Sequence, residues 1–388
     1  MHNHCLVNQS QSLLTYLFRH LLYFGEFFAL ISDLLRHPAD IAAETATMSM
    51  FFVQLDTATT LMNLAQTPRV AIIGAGLTGL SIARRFVEAG IESQLFDKSR
   101  GVSGRMATRR LEMNGLTLRF DHGSPFLTPP QMQAIAEQMN SPAHPMPFDV
   151  ATHSKLDDEA VISITSGMNQ VGKWLARGLK IHLSQNVTAI VPSDGNRRWK
   201  IIAEDADVTD DFDWVVTTTP PRQAADILRL SNGAVVRTLN TIEPRGCWSL
   251  MLVTEPAHPL SLVSDPGSEI IERVINENAK GRSSEHLGLY TIHAKRPWSQ
   301  RHMESSKVDV QNAMIAALQA IGFNTQNILH AQLHRWLYAA VVQPLGQPYL
   351  ADMQRGLICA GDWCLGNDID SALSSADATA AKVIQSLA

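Results

Sequence analysis

The chain is 388 residues long, 45% hydrophobic and 18% charged, with a formal net charge of −5. That balance is ordinary for a globular enzyme with room for two domains, and the lack of a dense Lys/Arg stripe argues against nucleic acid as a partner. Cys5, Cys247, Cys359 and Cys364 show no C-x-x-C or disulfide spacing, and the fourteen histidines form no H-E-x-x-H cluster. A cytoplasmic location and no metal site are the expectations.

Residues 1–65 read as an extension. The stretch from Leu13 to Leu35 is rich in Leu and Phe, but Arg19, His20, Glu26 and Asp33 interrupt it. Its longest uncharged run falls short of the ~18 apolar residues that span a bilayer, and no A-x-A-like cleavage site follows. Three readings stay open: an amphipathic helix over residues 12–37 resting on a membrane or partner, an extra helix packed on the core, or a start assigned too early. The third is favoured, with Met62 as the natural beginning.

An apolar run, Val70 to Ile73, then feeds Gly74-Ala75-Gly76-Leu77-Thr78-Gly79. Gly74 allows a tight turn, Gly76 a close backbone approach to pyrophosphate, and Gly79 close packing of helix on strand. The helix that opens there offers unpaired N–H groups to a phosphate. Asp97, eighteen residues past Gly79, ends a second strand-like run (Ile91 to Phe96) and is placed to accept ribose hydroxyls. The following Lys98-Ser-Arg-Gly101-Val-Ser-Gly104-Arg105-Met106 predicts backbone wrapping a second phosphate region. Arg105 would supply a charge-assisted contact, while Arg100, Arg109 and Arg110 read as a solvated basic loop.

Further along, Pro130–Asn140 and Gly167–Leu179 read as helices and Ile181–Val191 as one alternating strand. Trp199–Ala203 and Trp214–Thr219 are further strands, and Thr217-Thr-Thr-Pro220-Pro221 marks a crossing out of the nucleotide region. Cys247–Thr254, Glu269–Ile275, Leu287–His293 and Ile328–Tyr338 predict a second sheet, with a helix at Val308–Ile321. At the far end a short strand, Leu357–Ala360, runs into Gly361-Asp362, and a small-residue helix begins at Ile369-Asp370-Ser371-Ala372. A glycine and an aspartate at a strand's end suit a polyol, and the helix N-terminus suits a ring that gains negative charge.

Together these segments resemble the two-ended FAD fingerprint of flavin amine-oxidase-type oxidoreductases, and more closely the bacterial renalase family. The matching stretches include Phe96-Asp-Lys-Ser-Arg-Gly with Gly104-Arg-Met-Ala-Thr, Asp121-His-Gly-Ser-Pro-Phe-Leu-Thr128, Asn278-Ala-Lys-Gly-Arg282, His293-Ala with Trp298-Ser299, His334-Arg-Trp-Leu-Tyr-Ala339 and Gly361-Asp-Trp-Cys364. The chain departs from the family's Gln-Tyr at Pro125-Phe126, from its Trp-Leu-Ser-Gly at Leu373–Ala376, and from its Lys-Pro-Gly-Arg at Lys280–Arg282.

The resemblance implies an α/β fold: a Rossmann-type FAD-binding domain (66–150, 181–222 and 340–388) with an inserted mixed-sheet α+β substrate domain (151–180 and 223–339). FAD, bound noncovalently, would meet Gly74, Ala75, Gly76, Thr78 and Gly79, then Asp97 and Lys98, then Gly104, Arg105 and Met106. Pro125 and Phe126 would lie near its ring and Val187 near its adenine, with Gly361, Asp362, Ile369, Asp370 and Ala372 closing the site. His293, Trp336 and Tyr338 would face the substrate. The implied reaction is oxidation of an isomeric dihydro-NAD(P) to NAD(P)+, with O2 as acceptor giving H2O2. The rivals are an amine oxidase of the same fold, a catalytically silent flavoprotein that acts as a binding partner, and a simple NAD dehydrogenase. The Gly361-Asp362 terminus argues against the last.

Overall fold

The computed structural model describes residues 68–139, 146–156, 159–193, 198–204, 207–257, 262–282 and 286–387. The features expected of the N-terminal extension, with Cys5 and Met62, lie outside the described residues. In chain order, β1 (Arg69–Ile73) turns into α1 (Leu77–Glu88) and returns as β2 (Glu92–Asp97). A hairpin of β3 (Thr108–Met113) and β4 (Leu116–Asp121) leads to α2 (Pro129–Glu137), then to a second hairpin, β5 (Val150–Leu156) and β6 (Glu159–Ile164). After α3 (Asn169–Leu175) come β7 (Lys180–Leu183) and a meander of β8 (Val187–Pro192), β9 (Trp199–Ala203) and β10 (Asp207–Phe212). Next are β11 (Trp214–Thr217), α4 (Pro221–Leu228) and α5 (Gly233–Thr241). The third region holds β12 (Pro244–Thr254), β13 (Leu262–Ser264), β14 (Ile271–Asn276), β15 (Gly288–Ala294), α6 (Arg296–Arg301), α7 (Lys307–Ala320) and β16 (Ile328–Val341). The chain closes with β17 (Tyr349–Asp352), β18 (Leu357–Ala360) and α8 (Ile369–Leu387).

The main sheet has the order β17-β18-β11-β1-β2-β7 and is parallel except for the β17–β18 pair. Strands β1, β11 and β18 are buried on both faces, the condition that selects near-continuous apolar runs such as Val70–Ile73 and Leu357–Ala360. One face packs on α1, α3 and α8 through Leu80, Trp174, Leu373 and Ala376. The other packs on α4, α5 and the meander through Ile190, Ile201, Phe212 and Leu228. Helices α3, α4 and α5 therefore pack on the parallel sheet, although the sequence places them in the inserted region. Their apolar faces match the main sheet. Among the described residues no helix is long and apolar enough to cross a membrane.

Two local expectations are corrected. The alternation from Ile181 to Val191 is not one strand. Ser184, at φ 56°, turns the chain, and its N–H donates to the Ser99 carbonyl (2.9 Å) while Gln185 N–H donates to that of Asp97 (2.9 Å). The first half joins the parallel sheet and the second starts the meander. Arg109 and Arg110 are not in a loop but on β3, where Arg109 lies opposite Phe120 and Arg110 opposite Arg119.

The second large sheet is antiparallel, in the order β13-β14-β15-β12-β16. One face carries Trp248, Leu250, Tyr290 and Ile292 and packs on Val310, Met314 and Leu318 of α7. The other carries Met251, Val253 and Leu289 and packs on Leu118 and Phe120 of the first hairpin.

That second contact is pinned by four buried charges. The Lys280 ammonium donates to Asp121 Oδ2 and Glu277 Oε2, each at 2.9 Å. The Arg282 guanidinium donates to Asp121 Oδ2 at 2.6 Å and also pairs with Glu277. Asp121 Oδ1 accepts from the Thr108 hydroxyl (2.7 Å) and the Met168 N–H (3.0 Å). Glu277 Oε1 accepts from the Asp121 N–H (3.0 Å) and the Thr291 hydroxyl (2.6 Å). Burial alone would raise the Asp121 carboxyl, but Lys280, Arg282 and its hydrogen bonds hold it below the usual carboxylate range. Removing one member leaves uncompensated charge in the interior. Asp121→Ala should lower the unfolding free energy by about 3–5 kcal/mol, measured by denaturant titration. Arg110→Ala, at an exposed position of the same hairpin, should stay within about 0.5 kcal/mol of the parent.

Candidate functional site

The site lies at the carboxyl ends of the parallel strands. Gly74 leaves β1 with φ 112°, and a Cβ there would stand 2.6 Å from Thr218 Oγ1. A Cβ at Gly79 would collide with the Gly74 carbonyl, so α1 packs against the turn as the motif requires. Gly76 is the N-cap of α1 and gives no side-chain cap, so the first-turn N–H groups face outward without one. Gly104 crosses above it: a Cβ at Gly104 would lie 3.1 Å from Gly76 Cα. The loop is tied down by Ser103 N–H donating to the Ala75 carbonyl (3.0 Å). Asp97 Oδ2 accepts from Ala75 N–H (2.7 Å) and Oδ1 from Ser99 N–H (2.8 Å). Asp97 thus braces both loops, and Lys98 beside it is exposed while Met106 is buried.

The C-terminal motif meets the first one directly. Arg105 Nη1 and Nη2 donate to Asp362 Oδ2 (2.8 Å) and Oδ1 (2.5 Å), and Nη1 also reaches the Ala339 carbonyl (3.0 Å). Arg105, expected on a phosphate, joins the two motifs with a bidentate pair. The Thr78 hydroxyl donates to the Ala372 carbonyl (3.3 Å), linking the first turn of α1 to that of α8. Asp370 accepts from Gln131 Nε2 (2.7 Å). The Gly361 N–H donates to the Ser375 hydroxyl (3.0 Å), and Ile369 opens α8. Val187 begins β8 with its side chain in the core. Pro125 is buried, and the Lys280 ammonium stands 4.8 Å from the half-buried Phe126 ring.

The substrate-facing candidates gather on one face of the antiparallel sheet. On β16, His334, Trp336 and Tyr338 alternate with exposed Arg335 and Leu337. Trp336 Nε1 donates to the His122 carbonyl (2.9 Å), and His293 Nε2 lies 3.3 Å from the same oxygen. The His122 ring stacks on Trp336 at 5.2 Å, and His334 stands edge-on 4.5 Å from Trp336 and 4.8 Å from His122. Ser124 N–H donates to the Arg105 carbonyl (2.8 Å), so the ring cluster and the Gly101–Met106 loop share a backbone link. Tyr338 neighbours Ala339, the residue that accepts from Arg105.

Sequence reasoning missed His122, His334 and the four buried charges. The alternation of His334 with Trp336 and Tyr338 was a usable signal for the first ring pair. The pairing carries no local signal, since Asp121 is 159 residues from Lys280 and 161 from Arg282.

Residues 72–139 match the family model described as an NAD(P)-binding Rossmann-like domain. The fold resembles an oxidoreductase from Methanosarcina mazei, with a TM-score of 0.59 at 16% identity, over 80% of this chain and 99% of that one. Putrescine oxidase bound to putrescine gives a TM-score of 0.57 at 11% identity, over 82% and 99%. A fatty acid isomerase from P. acnes gives 0.58 at 12% identity, over 80% and 98%. The shared property is the fold, mixed α/β with a parallel Rossmann-like sheet.

The rings are held uncharged. His122 is pushed down to about 4 by burial, then by His334 and Arg109. His334 is pushed down to about 4 by burial, then by Arg109 and Lys307. His293 falls to about 3, again mainly by burial. Each folded value lies below the unfolded value of about 6.5, so the unfolded chain binds more protons between the two. Stability is full above about pH 6.5 and is lost progressively as pH falls toward about 4. Unfolding free energies measured across that window should decline on acidification, and His334→Phe should flatten the decline. A rise in stability on acidification would contradict neutral rings.

Proposed function

We propose that the chain is an FAD-dependent oxidase that oxidises an isomeric dihydro-NAD(P) to NAD(P)+, with O2 as electron acceptor and H2O2 as product. The observation that carries this reading is the stitching of the two-ended nucleotide motif to a neutral aromatic cluster. Arg105 binds Asp362 through its side chain and Ser124 through its carbonyl, and two residues from Ser124 the His122 carbonyl receives Trp336 and His293.

The residues fit a dinucleotide flavin. The uncapped start of α1 and the Gly76–Gly104 cradle, which side chains would fill, suit the pyrophosphate. Asp97 would take the ribose and Asp362 the ribityl chain, with Met106, Pro125, Phe126, Val187, Ile369 and Ala372 lining the remainder. When bound, FAD would supply the two-electron acceptor and its reoxidation by O2. The chain's own part is to bind and orient. Trp336 would present a flat face to a dihydropyridine ring, and Tyr338 and His293 would border it. Neutral His122 and His334 add no positive charge where the pyridinium product forms, and the Trp336 face favours that cation. No side-chain nucleophile is needed. An amine oxidase would call for a lysine free to serve the flavin, and Lys280 is instead committed to Asp121 and Glu277.

Anaerobic mixing of the yellow protein with 1,2- or 1,6-dihydro-NAD(P) should bleach the flavin band near ~450 nm rapidly, while NADH and simple amines stay inert. Bleaching by amines alone would overturn the substrate. Gly76→Val should yield a folded but colourless protein, and full retention of yellow colour would overturn the cofactor assignment.

A further inference from the structure

A cavity of about 580 Å³, a size usual for small-molecule sites, opens on the first hairpin. Among the described residues that line it there is none of the ring cluster. Its walls come from β4 (Arg119), the segment before β5 (Phe148 and Asp149), the segment after β6 (Thr165) and the turn that ends at Arg282. These walls are tied to one another. Thr165 N–H donates to the Asp149 carbonyl (3.4 Å). Arg282 Nε donates to the Thr165 carbonyl (3.0 Å), and Nη1 donates to the Arg119 carbonyl (3.2 Å). The remaining N–H groups of Arg282 are committed to Asp121, Glu277 and the Ile164 carbonyl. Arg282 therefore holds the cavity together and keeps no donor for a ligand.

Two charged side chains on these walls are uncommitted. The half-buried Arg119 makes one side-chain hydrogen bond, from Nη1 to the Thr117 carbonyl on its own strand (3.1 Å). No carboxylate among the described residues pairs with it, and Arg110 stands directly across from it in the β3–β4 register. Like charges opposite each other on paired strands are unfavourable, so an anion at Arg119 both uses its free donors and relieves that pair. The exposed Asp149 carboxylate accepts no hydrogen bond from the described residues. Arg119 and Asp149 thus line one cavity without pairing with each other. Apolar lining comes from the buried Leu118 and Leu289 and from the half-buried Phe148 ring, which stands edge-on to Trp174 at 5.7 Å.

We propose that this cavity is a second ligand site, separate from the ring cluster, and that it takes an α-amino acid with an apolar side chain. The planar fork of Arg119 receives the carboxylate, Asp149 receives the ammonium, and Phe148 with Leu289 receives the side chain. A simple acid would bring uncompensated negative charge to Asp149, and a simple amine would bring positive charge to Arg119. A zwitterion satisfies both. The site stands independently of the flavin reading above.

The test is titration calorimetry on the full-length protein as purified, with phenylalanine, 3-phenylpropionate and 2-phenylethylamine, which share a ring and differ in charge. Phenylalanine should bind saturably and at least about tenfold tighter than either of the others, the worth of a charge-assisted contact. Arg119→Gln should bring phenylalanine down to the level of the amine and leave the amine unchanged. Asp149→Asn, at an exposed position that folding does not depend on, should bring it down to the level of the acid. Absence of saturable phenylalanine binding, or a phenylalanine advantage that survives both substitutions, would overturn the site. Phenylpropionate bound as tightly as phenylalanine would overturn the zwitterion. The flavin band should not change as phenylalanine binds. Bleaching would place the amino acid at the redox centre and overturn a separate site.

Discussion

The arrangement depends on two acids and two bases that share one dry compartment. Asp121, Glu277, Lys280 and Arg282 are all nearly sealed from solvent, and their formal charges cancel. Each carboxylate also takes backbone N–H or hydroxyl donors, so the lone pairs are used as well as the charge. Such a group adds little net stability over apolar residues of equal volume. Its effect is geometric. It fixes the end of β4 against the turn at 278–280, and the residue after Asp121 is His122. The carbonyl that positions Trp336 and His293 thus follows directly from the ionic lock.

The electrostatics of the ring cluster beside this lock are set mainly by burial. Lys280 and Arg282 are neutralised where they stand, and burial keeps the three histidines uncharged. What remains is an uncharged aromatic wall of His122, Trp336 and His334. Arg105 is spent internally on Asp362 and joins its own loop to the Gly361–Asp362 segment.

Much of this was legible along the chain because its causes are local. The turn Gly74–Gly79, the apolar runs of β1 and β18, and the alternation on β16 announce themselves within a few residues. Asp97 was read as a ribose ligand from spacing, yet its first duty is to brace Ala75 and Ser99, which spacing cannot reveal. The break at Ser184 was hidden because both halves alternate in the same phase and only a positive φ separates them. Arg109 and Arg110 looked like a charged loop because the neighbouring glycines masked the strand that follows. The ionic lock was invisible because its members lie in two distant segments and none has an apolar period to betray it.

The parallel sheet is assembled out of sequence order, and this bears on how the chain is made. Strand β11 ends at Thr217, and the neighbour that covers its outer edge, β18, begins at Leu357, about 140 residues later. At roughly 5–20 residues per second, a ribosome takes roughly 7–28 s to deliver that neighbour. Through that interval β11 presents unpaired N–H and C=O groups beside Trp214, Val215 and Val216, a short sticky margin of the kind that nucleates misassembly. The nascent protein therefore waits with an open seam until β18 emerges, and slow synthesis or truncation before β18 should be felt first as aggregation.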